Sequence, residues 1–166
     1  STSSGTHHAI ELTGLPPDAE VPWSVWLDDV PLAEGHVLHT AGGPDDAVSF
    51  ALFGDTRTGH EAHAEVVAGV LAEGVALAFN SGDLVSDGEE AAQWDTYLDI
   101  EQPLMETIPV YPVVGNHDLA EGGSPHLRQV FALPDEVLYY AFDQGNVHFV
   151  VLDGHGGGHN FVFDEL

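Results

Sequence analysis

The chain has 166 residues, 43% of them apolar, enough for one full domain or one domain plus a portion of another, so a core can form. Twenty-eight Asp and Glu stand against two Arg and no Lys, a formal net charge of −26; this argues against nucleic acid and anionic membranes as partners and suits solubility in a high-salt milieu. The absence of Cys excludes disulfides, thiolate metal sites and Cys nucleophiles, and apolar stretches such as "VHFVVL" are far too short to span a bilayer.

In chain order, "STSSGTHH" lacks the basic and apolar regions of a signal peptide, although a mature secreted protein would have lost one. Residues 1–46 read as a small β region: "HHAIEL" and "WSVWL" alternate, "HVLHT" is a candidate third strand, and "TGLPPDAEVP" is a Pro-rich turn. "TAGGPDDA" reads as a linker into residues 47–166, where the rhythm changes. "VSFALF" is a predicted strand, Glu61 to Glu73 a helix with Val66, Val67, Val70 and Leu71 on one face, and "VALAFN" a strand. A second helix is expected from Glu89 to about Ile100, carrying Trp94, Tyr97 and Leu98 and broken by Pro103. The strand "PVYPVV" follows, then a short helix from Pro125 to about Leu133. "VLYYAFDQGNVHFVVLD" reads as two strands joined by a tight turn at Asp143 to Asn146. The β-α-β-α-β order predicts an α/β fold with a parallel sheet covered by helices.

Each of the three predicted parallel strands ends in Gly-Asx: "GD" at Asp55, "GD" at Asp83 and "GN" at Asn116. Crossover connections bring the C-terminal ends of such strands to one sheet edge, where ligands bind in open α/β folds. Two carboxylates and an amide oxygen form a hard donor set suited to Mg, Mn, Zn or Fe ions. Two carboxylates packed together without a cation would repel each other until one protonated. A pair of metal ions removes that repulsion, and can clamp a phosphate while acidifying a water.

With these residues in hand, "GDTR", "GDLVSDG" and "GNHD", in this order and spacing, resemble the calcineurin-like metallophosphoesterases, and the purple acid phosphatase-like branch in particular, over about Val48 to Asp153. The resemblance implies a metal-dependent phosphoesterase in which Asp55 binds one metal, Asp83 bridges two and Asn116 binds the second. His117 would donate a proton to the leaving oxygen or stabilise the phosphoryl oxygens, and Asp118 would orient His117. It also favours a secreted or periplasmic setting. "AIELTGLPPDAEVPWSVWL" resembles the later strands of a fibronectin type III domain, with Val21 about where a corner Tyr is usual.

Three departures from the family pattern follow. Arg57 stands where many members have His, and Ser86 where the purple acid branch usually has Tyr. The later His motifs of the family do not occur within the chain, so the expectation is a fragment of a larger enzyme, or a chain completed by a partner subunit. Arg57 could hold a phosphate bidentately or balance the carboxylates. His155 and His159 in "GHGGGH" are either metal ligands or members of an exposed loop. His60 and His63 are expected to be solvated at a helix N-terminus, Trp94, Tyr97, Tyr139 and Tyr140 to be core, and Asp87, Glu89 and Glu90 to be helix N-terminal charges. The alternative to the enzyme is a non-catalytic structural or binding protein that keeps the fold.

Overall fold

Three short parallel strands organise the chain: β3 (Phe50–Phe53), β4 (Leu77–Asn80) and β5 (Val110–Pro112), in the order β3-β4-β5. In this computed structural model residues 8–119, 125–133 and 137–154 are described. Helix α1 (His60–Glu73) connects β3 to β4, and α2 (Ala91–Met105) connects β4 to β5. The register aligns Phe53 with Asn80 and Asn80 with Pro112, so the three strands end together and the three Gly-Asx loops leave from one edge.

Central β4 is buried along its whole length, and its alternating side chains serve two cores. Ala78 faces Val67 of α1 and Leu104 of α2, with Phe53, Val70, Ile100 and Val110 packed around them. Leu77 and Phe79 face the other way, onto Phe149 and Val151. The last two belong to a hairpin of β6 (Tyr140–Gln144) and β7 (Val147–Val151), whose tight turn lies at Gly145 and Asn146 as the sequence predicts. A third cluster joins α2 to the short helix α3 (Pro125–Val130), with Leu84, Val85, Trp94 and Tyr97 against Leu127 and Phe131.

The N-terminal region is one antiparallel hairpin of β1 (Glu20–Leu27) and β2 (Val30–His39). Asp28 and Asp29 form its turn, both at positive φ (47° and 66°), a conformation that short polar side chains tolerate. Over its described residues 8–12 the expected strand at "HHAIEL" does not form: they pair with no neighbour among the described residues, and alternation without a partner edge gives no ladder. The Thr40 hydroxyl fastens the Pro-rich loop to the end of β2, donating to the Pro16 carbonyl (2.7 Å) and accepting from the Ala19 amide (2.9 Å).

The second helix also departs from expectation. It runs through Pro103 to Met105, because a proline in the last turn removes one amide donor close to where the helix ends anyway. It begins at Ala91, so Asp87, Glu89 and Glu90 precede it. Instead of an acidic first turn, Gln93 reaches back, its Oε1 accepting from the amides of Ser86 (2.9 Å) and Asp87 (3.1 Å). Trp94 and Tyr97 are core, as expected, but Tyr139 lies outside the strand and is 60% exposed. Tyr140 is half-buried, and its hydroxyl donates to the Pro112 carbonyl at 2.7 Å.

Candidate metal centre

At the C-terminal edge of the sheet, the loops after β3, β4 and β5 surround one open depression of about 580 Å³ lined by Asp55, Asp83 and Asn116 among others. The loops are laced together by their backbones: Asp55 N–H donates to the Gly82 carbonyl (2.9 Å) and Arg57 N–H to the Asp83 carbonyl (2.9 Å). Asp55 and Asp83 both hold left-handed backbone conformations, φ 56° and 54°, which favour glycine and are unfavourable for most side chains.

Gly115 is fixed by close approach rather than by its own φ: a Cβ there would overlap the Asp83 backbone amide and carboxylate. The third loop therefore lies directly against the second, and Asp83 Oδ1 accepts from the His117 amide at 3.2 Å.

The carboxylates are not alone. Arg57 Nε lies 3.1 Å from Asp55 Oδ1, and one of its terminal nitrogens 3.3 Å from Asp83 Oδ2. The Asp83 side chain is largely enclosed and that of Asp55 mostly exposed. Ser86 donates its hydroxyl to the Arg57 carbonyl (3.1 Å), tying the first loop to the second.

His117 is half-buried beside Asn116, and its Nδ1 lies 2.9 Å from the Ser86 carbonyl. A carbonyl only accepts, so Nδ1 carries the proton of that bond. Asp118 is fully buried. Its Oδ1 accepts from the Leu84 (2.8 Å) and Val85 (3.1 Å) amides and its Oδ2 from the Gly115 amide (2.8 Å). The carboxylate thus braces the second loop against the third. Burial pushes the Asp118 carboxyl above the usual range and the nearby Asp83 charge adds to this, while the three amides pull it back.

Sequence reasoning missed a buried polar cluster beneath the first loop. His63, expected in solvent, is buried and its Nε2 lies 2.7 Å from Glu101 Oε1, with Glu101 fully buried. The His63 ring stacks on Tyr97 at 5.8 Å. Asn80, fully buried at the end of β4, donates from Nδ2 to the hydroxyl of Thr56, the residue between Asp55 and Arg57. Among the described residues Glu101 Oε2 is buried with no hydrogen-bond partner. Burial and the Glu101 carboxylate push the Tyr97 phenol well above its ordinary value. The signal was present in the sequence: Glu101 continues the 94, 97, 104 stripe of α2, and His63 stands four residues before Val67.

His155 and His159 lie outside the described residues. Among the described residues no group of three His, Asp or Glu side chains is placed to hold a metal ion. A donor set here would draw on the Asn116 amide oxygen together with Asp55 and Asp83, which line the same depression. These oxygens suit a hard cation, and the guanidinium already lying against both carboxylates marks a position where positive charge is stable. The residues present fit part of a metal centre.

The model of the calcineurin-like phosphoesterases matches residues 48–165, and the chain belongs to that family. Purple acid phosphatase 23 of Arabidopsis thaliana is 33% identical over 70 residues, covering 36% of this chain and 15% of that protein. The purple acid phosphatase PPD1 from yellow lupin (Lupinus luteus) seeds shares the fold, with a TM-score of 0.60 at 18% identity over 73% of this chain and 27% of that one. The chain thus corresponds to well under a third of either relative. Among the described residues no helix is long and apolar enough to cross a membrane.

Proposed function

We propose that this chain carries the first half of the metal centre of a phosphoesterase, which hydrolyses a phosphomonoester or diester. The observation that carries the reading is the convergence of three Gly-Asx strand ends, Asp55, Asp83 and Asn116, on one depression with His117 beside it. Two divalent or trivalent metal ions (Fe, Zn, Mn or Mg), held by Asp55, a bridging Asp83 and Asn116, would supply positive charge to the phosphoryl oxygens and acidify a water. Further donors come from outside the described residues, whether from His155 and His159, from a longer chain or from a partner subunit. The division into a β region of residues 1–46, fibronectin type III-like in its sequence, and a phosphoesterase domain from residue 47 belongs to the same reading; the family match starting at residue 48 supports it.

The chain's own residues have distinct tasks. Asp83 directs Oδ2 to the Arg57 guanidinium (3.3 Å) while its Oδ1 holds the His117 amide. His117, oriented through Nδ1 by the Ser86 carbonyl, exchanges a proton with the leaving oxygen at Nε2. Asp118 positions that loop by holding three amides. Arg57 is the cationic side chain beside both aspartates and is available to phosphate oxygens.

The 166-residue chain alone is expected to turn over little or nothing, so the test is hydrolysis of an aryl phosphate with and without Mn²⁺ or Zn²⁺ by a longer chain or an assembly that supplies the remaining donors, as wild type and as Asp83→Ala. Metal-dependent turnover lost in the variant supports the reading; metal-independent turnover, or turnover indifferent to Asp83, overturns it. A second reading, a non-catalytic protein retaining the fold, is favoured by the pairing of Arg57 with both carboxylates. It predicts an intact fold with no turnover under any metal.

A further inference from the structure

The chain has two cationic side chains besides its histidines, Arg57 and Arg128, against 28 acidic residues. One of them lies with guanidinium nitrogens 3.1 Å from Asp55 and 3.3 Å from Asp83, the two carboxylates assigned to metal. Its backbone is held at both ends, the amide by the Asp83 carbonyl (2.9 Å) and the carbonyl by the Ser86 hydroxyl (3.1 Å). The side chain is therefore anchored between the two loops whose carboxylates it joins. With Nε on one carboxylate and a terminal nitrogen on the other, one planar group spans both, which a lysine point charge does not reproduce.

We propose that Arg57 is a resident counter-cation that competes with metal ions for Asp55 and Asp83, so that it sets the metal affinity of the centre. The proposal rests on the metal reading above. A carboxylate oxygen committed to the guanidinium is unavailable as a ligand, and a metal ion at that oxygen repels the guanidinium. The two cations therefore oppose each other, and metal entry requires the side chain to leave at least one carboxylate. The Arg also supplies what the site needs without metal, because two carboxylates on laced loops would otherwise repel. Released from Asp55 and Asp83, the guanidinium is free to take a second anion. Metal loading and the availability of Arg57 to a phosphoryl group are then coupled.

The experiment is a Mn²⁺ titration by calorimetry of wild type, Arg57→Gln, Arg57→Lys and Arg128→Gln. About 1 M NaCl in every sample suppresses diffuse cation binding to the acidic surface. Arg128→Gln matches the net charge of Arg57→Gln and isolates the local effect. The expected result is tighter Mn²⁺ binding by Arg57→Gln, by a factor on the order of five to one hundred, the usual range of coupling between two ligands. Arg128→Gln should match wild type, and Arg57→Lys should fall between. Thermal melts supply a second readout that needs no turnover: without metal Arg57→Gln should melt below wild type, and Mn²⁺ should raise its midpoint by more. Unchanged or weaker Mn²⁺ binding by Arg57→Gln overturns the competition while leaving the metal centre standing. Mn²⁺ binding by none of the four proteins overturns the metal centre and the competition with it.

Discussion

His63 stands one helical turn into α1, where a solvated imidazole is the natural expectation, yet it closes a 2.7 Å hydrogen bond to a fully buried Glu101. Removing either partner strands the other in the core. His63→Ala should therefore lower stability by about 3 kcal/mol, read from the urea midpoint at unchanged m-value. A loss below about 1 kcal/mol would mean that water reaches Glu101 and replaces the imidazole. His117 makes the opposite kind of residue-scale prediction. In an active, metal-loaded enzyme His117→Ala should cut turnover by about 10²–10⁴, the range of a lost general acid, with metal content largely kept. Asp83→Ala should lose metal and turnover together. Loss of metal in His117→Ala would make that residue a ligand instead.

At the scale of elements, two glycines separate site geometry from ordinary helix chemistry. Gly115→Ala forces a Cβ into the Asp83 backbone, so the β4 and β5 loops must part. A loss of about 1–3 kcal/mol is expected, with weakened metal binding. Gly69→Ala lies within α1, where an added Cβ meets nothing within 4 Å, and should stabilise by about 0.5–1 kcal/mol. Equal effects at the two positions, measured by urea unfolding, would remove the packing account of Gly115. Much of this level was legible in the sequence. The parallel strands, α1 and the β6–β7 hairpin follow from periodicity and turn chemistry, and the Gly-Asx strand ends announced the depression. What was not legible depends on partners distant in sequence. "HHAIEL" alternates but finds no strand edge, Pro103 is tolerated because the helix is about to end, and the His63 and Glu101 pair requires α1 and α2 to meet 38 residues apart. The two carboxylate–guanidinium contacts were visible only as one alternative for Arg57.

For the whole molecule, a net charge of −26 makes folding a compression of like charge. Screening should raise the melting temperature between low and molar salt. Each kcal/mol of relieved repulsion is worth about 2–4 °C in a chain of this size. An unmoved midpoint would show that bound cations or a partner already neutralise the surface. The same charge complicates any demonstration of a specific metal site, since diffuse binding of cations must be separated from ligation. The measurement that decides the central claim is therefore equilibrium dialysis against Mn²⁺ in about 1 M NaCl, where the Debye length is about 3 Å. Wild type is compared with the double variant Asp55→Asn and Asp83→Asn, whose fold is checked by circular dichroism. Retained Mn²⁺ in wild type and its loss in a folded double variant is the predicted result; equal retention by both would contradict a metal centre at the edge where the strands end.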